Sequence, residues 1–421
     1  MRAGPNSTLL AIFLRYFTRE ILDDLNDQLG GSVPFGFQNN GRSVKKLLID
    51  KRRVLQTIAV YMQILAMGEK ASETQKNPKF LRDCVKKART YLFEKTGLET
   101  IGTQNIEVLL TRVTLKTKHA NMLSDSFCSI LSSIGQYCAG DEKLFGYCGD
   151  SYDSRKCATK PDKIGLWFYE LCCTVVVQGV KLPYLMHTFM HEKSTEELST
   201  VMVVEKWRNA MWSVSPLLGG HVAPPTTNPS PLTFLCYDAL YTSNAANESN
   251  RNCGQKYSAS CNTQRFQVLR DAIHRDFIAD EIGEHKSIYN DTSSELFTYH
   301  YDTQKGVGKK YNISWGLTRH TTPTVVAKNK NDIPGYSYYK SMFEICDHFN
   351  RALHDRTWAH KRGGRNLSGD IGTHHDFLMG CIVQNTLTAY RVINNLHPTA
   401  ISFRDLVLDL ACQIMVYSDE V

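Results

Sequence analysis

The residues whose types and spacing could support chemistry begin with a carboxylate pair, Asp141 and Glu142, at the start of an apolar segment. A short basic stretch, Lys160 to Lys163, then leads into a long run of aromatic and β-branched residues. Carboxylate oxygens are the hard ligands that hold Mg²⁺ in phosphoryl-transfer sites. The catalytic sheets of several metal-dependent nucleases begin in this order, with a strand that contains an acidic residue, then a short basic connection, then a buried strand.

Two further motifs contain an aspartate. Asp238 follows Tyr237 and precedes Ala-Leu-Tyr-Thr-Ser, and Asp347 follows Tyr-Lys-Ser-Met at positions 339–342 and precedes Arg-Thr-Trp at positions 356–358. Together with Asp-Glu-Lys-Leu-Phe-Gly-Tyr at positions 141–147 and Lys-Pro-Asp-Lys-Ile-Gly at positions 160–165, these motifs resemble the piggyBac-type transposases. The matches follow the order of the family and span most of the chain.

The resemblance implies an α/β fold with an RNase H-like catalytic core, in which the first aspartate lies on the first strand and the second just past the fourth. It implies that Asp141, Asp238 and Asp347 ligate two Mg²⁺ ions, one activating water or a 3′-hydroxyl and the other stabilising the leaving oxygen. An active member of this family excises a DNA element and joins it to a TTAA-type target. A nuclear location is expected from the family alone.

Each aspartate also has an ordinary structural interpretation. Asp141 could cap a turn or helix, Asp238 could be a loop carboxylate, and Asp347 a solvated helix residue. Because they are 97 and 109 residues apart, only the tertiary fold could bring them together.

Departures from the family pattern favour a second hypothesis, a domesticated and catalytically inactive protein that binds DNA or another protein. Gly149-Asp150 stands where the family has Gly-Arg, Phe343-Glu344 replaces paired glycines, and Asn350 stands where a second aspartate is common. The Cys-rich tail of the family does not follow in this sequence. A different nuclease of the same superfamily is a third hypothesis.

Positive charge is concentrated in the N-terminal region. The net charge is +7, but residues 41–120 contain 17 Lys and Arg against 7 Asp and Glu. This excess suits double-stranded DNA, whose binding is largely electrostatic, although solvated helix faces would give the same composition. The predicted DNA-binding residues, including two from the later basic stretch, are Lys45, Lys46, Lys51, Arg52, Arg53, Lys86, Lys87, Arg89, Lys160 and Lys163.

The hydrophobic periodicity divides the chain into four regions. Residues 1–131 are predicted to form a helical region for DNA binding and dimerisation, with helices over residues 9–29, 44–66, 80–93 and 106–134. Residues 132–244 form the first part of the core, with strands over 136–147, 164–177, 180–190 and 232–237 and a helix opening at a capping box at Ser194. Residues 245–335 are an insertion with strands near 296–301 and 311–317, and residues 336–421 return to helices over 338–353, 377–393 and 401–417.

Other residue clusters carry less chemistry. The 13 cysteines show no zinc-ligand spacing and are interpreted as reduced core thiols. His187 and His191 lie at a predicted strand end rather than on a zinc-binding helix. His374 and His375 are assigned to a basic, glycine-containing loop that either faces DNA or is merely mobile. No nucleotide-binding motif, export signal or membrane-length apolar segment is recognisable.

Overall fold

Helices and strands alternate along the computed structural model, which describes residues 7–35, 45–67, 79–110, 112–130, 137–146, 155–157, 160–190, 200–214, 234–237, 241, 245–246, 249–250, 253, 255–260, 289–291, 294–302, 312–318, 325–328 and 369–421. The predicted capping box at Ser194 and the predicted helix over residues 338–353 lie outside these ranges. Among the described helices, none is long and apolar enough to span a lipid bilayer.

The N-terminal apolar segment forms two helices, α1 (Leu9–Tyr16) and α2 (Arg19–Gln28), so the single helix predicted over residues 9–29 is wrong. Thr18 explains the break, because its side chain accepts a hydrogen bond from the backbone N–H of Ile21 and caps α2. Helical periodicity continues across the break, and therefore periodicity alone could not locate it.

A two-stranded antiparallel sheet follows, formed by β1 (Ser32–Phe35) and β2 (Lys45–Leu48). The helix predicted from residue 44 begins only after it, as α3 (Lys51–Met67). The Asp50 side chain accepts a hydrogen bond from the backbone N–H of Arg53 and starts α3 there. The N-terminal region is thus helical with a small β element, which the sequence interpretation omitted.

The predicted helix over residues 80–93 is confirmed as α4 (Lys79–Thr96). The helix predicted over residues 106–134 is instead two helices, α5 (Thr103–Leu110) and α6 (Thr117–Ile130). Leu115 lies in the connection, and its backbone N–H donates to His375 Nδ1 at 3.1 Å. A contact 260 residues away in sequence therefore satisfies a backbone group of the break.

The central sheet is built from β3 (Tyr137–Gly146), β4 (Arg155–Cys157), β5 (Lys160–Val177), β6 (Val180–Met190), β7 (Phe234–Tyr237) and β8 (Lys256–Ser260), with α7 (Thr200–Val214) between β6 and β7. The strands predicted over residues 136–147, 164–177, 180–190 and 232–237 are confirmed. Their long apolar and β-branched runs are typical of strands buried on both faces.

Five of these strands lie in the spatial order β6, β5, β3, β7, β8. β6, β5 and β3 are antiparallel neighbours, whereas β3, β7 and β8 run parallel. β4 pairs with the beginning of β5. β3 therefore has an antiparallel neighbour on one side and a parallel neighbour on the other, and it is the middle strand of these five.

The region predicted as an insertion adds β9 (Tyr289–Asp291), β10 (Ser294–Asp302), β11 (Asn312–Thr318) and β12 (Val325–Lys328). The two strands predicted near residues 296–301 and 311–317 correspond to β10 and β11. These strands are antiparallel, and β12 pairs with β8, so they extend the central sheet. The division of the chain into four domains remains a prediction.

The C-terminal helices are α8 (Gly369–Ile393) and α9 (Phe403–Glu420), which confirms the two helices predicted there. They share one hydrophobic core with the N-terminal helices. Asn385 on α8 covers the edge of β6, since its side chain accepts from the Leu185 N–H at 3.0 Å and donates to the Leu185 carbonyl at 2.8 Å. The N- and C-terminal segments therefore fold together around the sheet.

His374 and His375 are buried in α8, so their assignment to a DNA-facing loop is wrong. The ring of His375 meets the ring of Tyr61 edge-on, and the Tyr61 hydroxyl donates to Asp376 at 2.8 Å. His119 is also buried, with its Nε2 2.8 Å from an Asp24 carboxylate oxygen. The Tyr61 contacts tie α8 to α3, and the His119 contact ties α6 to α2.

Acid should destabilise the fold through His375. Burial, and after it the charge of His119, lowers the pKa of His375 from 6.5 to about 3. Between these values the unfolded chain binds a proton that the folded chain excludes, so this stability is complete above pH 6.5 and is lost as the pH falls. The free energy of unfolding should decrease by about 1.4 kcal/mol per pH unit through this group.

Urea unfolding between pH 7.5 and about 4.5 would measure this decrease, within the range in which an ordinary histidine titrates. His375→Gln retains an acceptor for the Leu115 N–H and removes the titration, so its stability should depend less on pH. Equal pH dependence in the variant and the wild type would show that His375 is not responsible.

Candidate active site

β3 places Asp141 and Glu142 on opposite faces of the central sheet, because successive side chains of a strand alternate. Asp141 is directly opposite Glu170 of β5, and Glu142 is directly opposite Tyr169. Residues directly opposite in an antiparallel pair share a face. Both members of the predicted carboxylate pair are half-buried, but each has a different set of neighbours.

The face of Glu142 is covered by α7. The Tyr241 hydroxyl donates a hydrogen bond to the Glu142 carboxylate, and the Tyr241 ring meets Trp207 of α7 edge-on at 4.9 Å. Trp207 packs against Gly140, where an added Cβ would lie 2.4 Å from the indole ring. Burial, and then the negative charge of Glu142, raises the pKa of Tyr241, so the hydroxyl remains a donor.

An aromatic layer extends from this contact toward β6. Tyr169 stacks on Phe189 at 4.9 Å and meets Tyr241 edge-on at 6.5 Å. The Lys206 ammonium lies 4.8 Å from the centre of the Phe189 ring. His187, on strand β6 as predicted, has its pKa lowered to about 4 by burial and then by Lys206. The neutral imidazole and the aromatic rings make this face a packed support for β3.

The face of Asp141 is covered by α8. Phe168 of β5 stacks on Phe377 of α8 at 3.9 Å, and Glu170 on the same side of β5 is fully buried. Burial, and then the negative charge of Glu170, raises the pKa of the Cys381 thiol on α8. A buried carboxylate group therefore lies beside Asp141 under α8. Glu170 is not among the predicted site residues, although an acidic residue within an apolar strand could have indicated a functional carboxylate.

A polar network holds the end of β7, the parallel neighbour of β3. The Tyr237 hydroxyl accepts from Asn250 Nδ2 at 3.0 Å, and Asn250 Oδ1 accepts from Arg208 Nη1 at 3.1 Å. Arg208 also donates to Ser249 Oγ at 3.0 Å, and Ser249 donates to Glu205 at 2.8 Å. Arg208 is almost fully buried on α7, so the network fixes α7 and the end of β7 together.

The register brings the end of β7 level with Asp141. Tyr237, the last residue of β7, pairs with Gly140, which directly precedes Asp141. Asp238 is the next residue in sequence, but it lies outside the described residues, as does Asp347. The structure therefore describes one of the three predicted catalytic aspartates, together with the end of β7 that lies beside it.

The chemistry of the Asp141 side chain fits Mg²⁺, because half-buried Asp141 offers carboxylate oxygens beside the end of β7. Within the described ranges, no group of three His, Cys, Asp or Glu side chains is arranged to hold a metal ion. A complete ligand set would thus need carboxylates from the motifs at Asp238 and Asp347.

Several predicted DNA-binding residues have intramolecular partners. Lys51 pairs with Asp23, and Arg52 pairs with Asp419. Arg89 donates to the hydroxyls of Thr100 and Thr103 and to the Thr100 carbonyl, which anchors α4 to α5. Half-buried Arg53 lies in the first turn of α3.

Other predicted DNA-binding residues point to solvent. Lys46, Lys86 and Lys87 are exposed. Lys45, Lys160 and Lys163 lie on strands, in positions for which only the backbone is described. Exposed Lys86 and intramolecularly bonded Arg89 lie on the same helix, so the positive charge of the sequence did not separate the two kinds of cation.

Comparison with known proteins supports the fold. No family model matches the sequence, and no match is found among curated proteins. The structure is similar to that of a piggyBac transposase determined by cryo-electron microscopy in a synaptic complex with hairpin DNA. The TM-score is 0.58 at 11% sequence identity, and the match covers 98% of this chain and 81% of the other. The chain is therefore a mixed α/β protein with a fold similar to that of a piggyBac transposase.

Proposed function

We propose that the protein is a piggyBac-like DNA transposase or a transposase-derived protein whose central sheet is an RNase H-like catalytic core. The observation that carries this proposal is the position of Asp141, on the central strand β3 and level with the end of its parallel neighbour β7. The order β6, β5, β3, β7, β8, with three antiparallel strands followed by two parallel ones, supports the assignment of the core. In chain order, β3 is the first of these five strands and contains Asp141, and β7 is the fourth and directly precedes Asp238. Both positions fit the same scheme.

The reaction we propose is Mg²⁺-dependent cleavage and transfer of DNA strands at TTAA-type sites. Asp141, Asp238 and Asp347 would hold two Mg²⁺ ions, which supply a Lewis acid and an activated hydroxyl nucleophile when bound. Asp141 contributes charge at a fixed place, because β3 is held between β5 and β7. The buried aromatic layer packs against the opposite face of that strand.

Double-stranded DNA is the proposed partner, and homodimerisation and nuclear localisation are further expectations from the resemblance. Exposed Lys86 on α4 supports DNA binding, since exposed lysines that contact phosphates provide the salt-dependent part of the affinity. The neighbouring transposase structure contains hairpin DNA, which is a property of that protein.

Replacing Lys86 with alanine should weaken DNA binding without unfolding the protein, because its side chain is exposed on α4. The slope of log K against log salt concentration should decrease by about 0.9 for each phosphate contact removed. Fluorescence anisotropy with a labelled duplex at several salt concentrations would measure this change. Arg82→Ala is the matched control on the same helix, because Arg82 pairs with Glu107. An unchanged slope in Lys86→Ala, or an equal decrease in the control, would contradict a phosphate contact specific to Lys86.

The experiment that tests the proposed activity uses DNA fragments from both flanks of the coding sequence, with the flanks first searched for terminal inverted repeats. The purified protein is incubated with these fragments in Mg²⁺ or in a chelator, and single-strand nicks are mapped on a denaturing gel. Mg²⁺-dependent nicks at the boundary of a repeat would support a transposase. DNA binding without nicks in any divalent metal would instead support the inactive, domesticated alternative, which the motif departures also favour.

A further inference from the structure

Two tyrosine hydroxyls lie on either side of Asp238 in the sequence, and each makes a hydrogen bond inside the protein. The Tyr237 hydroxyl accepts from Asn250 Nδ2 at 3.0 Å, and the Tyr241 hydroxyl donates to Glu142. Tyr237 is fully buried and Tyr241 is 3% exposed. Thus only residues 238–240 separate two residues that are each held in place by packing and by a hydrogen bond.

The two bonds lead to different parts of the site. Through Asn250 and Arg208, Tyr237 is joined to α7. Through Glu142, Tyr241 is joined to β3 at the residue directly after Asp141, a partner 99 positions away in sequence. The Tyr241 bond therefore connects the two motifs that contain the first and second predicted catalytic aspartates.

Glu142 is placed to serve as an anchor. It shares the α7 face of β3 with Gly140, whereas Asp141 shares the α8 face with Glu170. Because the two carboxylates project from opposite faces, Glu142 is oriented toward Tyr241 and away from the side on which Asp141 lies. A charged acceptor also strengthens the hydrogen bond that it receives from a buried hydroxyl.

We infer that Glu142 and Tyr241 are positioning residues, whose hydrogen bond fastens the chain four residues after the end of β7 to β3 next to Asp141, and that Glu142 is an anchor and not a metal ligand. This inference rests on the proposed function and adds the device that ties the motif of the second predicted catalytic aspartate to the strand of the first. The ring of Tyr241 is fixed by edge-on contacts with Trp207 and Tyr169, so its hydroxyl is aimed before any ligand binds.

The test is Tyr241→Phe, which removes one hydroxyl and keeps the ring that packs against Trp207. Partners that orient metal ligands typically contribute about 10–100-fold to metal affinity or activity. We expect the Mg²⁺ concentration for half-maximal nicking to increase about 10–100-fold, with little change in DNA affinity. Mn²⁺ binding to the DNA-free protein, followed by the paramagnetic resonance signal of the free ion, should weaken by a similar factor.

Tyr184→Phe is the matched control. Tyr184 lies on β6, and this substitution also removes a buried hydroxyl. That hydroxyl contacts the Tyr16 hydroxyl at 2.6 Å and donates to the Phe127 carbonyl of α6 at 2.6 Å. Its thermal stability should decrease in the way expected for a lost buried hydrogen bond, but its Mn²⁺ binding should equal that of the wild type. If Mn²⁺ binding weakens equally in both variants, general destabilisation explains the effect of Tyr241→Phe, and the inference is overturned.

Two substitutions of Glu142 distinguish a positioning role of this residue from direct ligation of the metal. Glu142→Gln retains an oxygen that accepts from Tyr241, so Mn²⁺ binding should be largely preserved, whereas Glu142→Ala should resemble Tyr241→Phe. The double variant Glu142→Ala/Tyr241→Phe should be no worse than either single variant, because both remove the same interaction. Equal and severe losses in Glu142→Gln and Glu142→Ala would identify Glu142 as a metal ligand and overturn the inference.

The failure of the inference and the failure of the proposed function give different results. If the wild-type protein binds Mn²⁺ and nicks DNA while Tyr241→Phe behaves identically, the function stands and the positioning role is wrong. If the wild-type protein binds Mn²⁺ without nicking DNA, the Mn²⁺ titration of Tyr241→Phe still decides the positioning role. If the wild-type protein neither binds Mn²⁺ nor nicks DNA, both are wrong.

Discussion

Replacing Asp141 with asparagine should abolish Mg²⁺-dependent nicking and leave the protein folded. The change removes a negative charge but almost no volume, and the half-buried side chain lies at the end of the β3–β7 pairing. An amide oxygen is a much weaker ligand for a hard cation than a carboxylate. We expect the nicking rate to decrease by about a thousandfold or more, as for the loss of other essential catalytic groups.

The measurement compares nicking by the wild-type protein and the variant at saturating Mg²⁺, with circular dichroism and urea unfolding as checks of the fold. Asp405→Asn is the control variant, since Asp405 is an exposed carboxylate in the first turn of α9, remote in sequence from the three motifs. Nicking by Asp141→Asn at the wild-type rate would refute the assignment of Asp141. Loss of nicking in both variants would point to a shared effect on folding.

Gly140→Ala should produce the largest loss of stability from a single added methyl group. A Cβ at residue 140 would lie 2.4, 2.5 and 2.9 Å from three atoms of the Trp207 indole. Trp207 is fully buried and is held between Gly140 and Tyr241, so the ring cannot move without disturbing the contact at Glu142. Overpacking of this kind costs about 1–3 kcal/mol, occasionally more.

Urea unfolding would give the change in the free energy of unfolding. Gly102→Ala is the matched control, because the nearest atom to a Cβ there is 4.0 Å away. Its stability should decrease by no more than about 1 kcal/mol, because Gly102 directly precedes α5 and alanine is a poorer N-terminal cap than glycine. Combining Gly140→Ala with Trp207→Leu should cost less than the sum of the two single changes, because the smaller side chain relieves the clash. Strict additivity would show that the contact with Trp207 is not the cause.

The strands of the central sheet could be predicted because their sequences are locally unambiguous. Residues 164–177 and 180–190 are apolar, aromatic and β-branched, and the turn between them contains Gly179 with φ of 80°, a backbone conformation that glycine adopts without strain. The amphipathic pattern likewise predicted α4, α8 and α9. These assignments depend on neighbouring residues alone, which is why the sequence was enough.

Breaks within helical segments were missed for a physical reason. Thr18 and Asp50 are each compatible with the interior of a helix and with the N-terminal cap of the next one. Their short polar side chains can hydrogen-bond to the backbone in either state. Tertiary contacts decide between these states. His375 illustrates this, because it accepts a hydrogen bond from the N–H of Leu115 in the connection between α5 and α6 and is buried in α8 rather than exposed in a loop.

The candidate site divides in the same way. Residue types alone identified the candidate chemical groups, since Asp141 is a carboxylate within a predicted apolar strand. What faces Asp141 depends on the assembled sheet, because strand register sets Glu170 opposite Asp141 and parallel pairing sets Tyr237 beside Gly140. The bond between Tyr241 and Glu142 joins residues 99 positions apart, and no local pattern encodes a pairing that depends on how the whole sheet assembles.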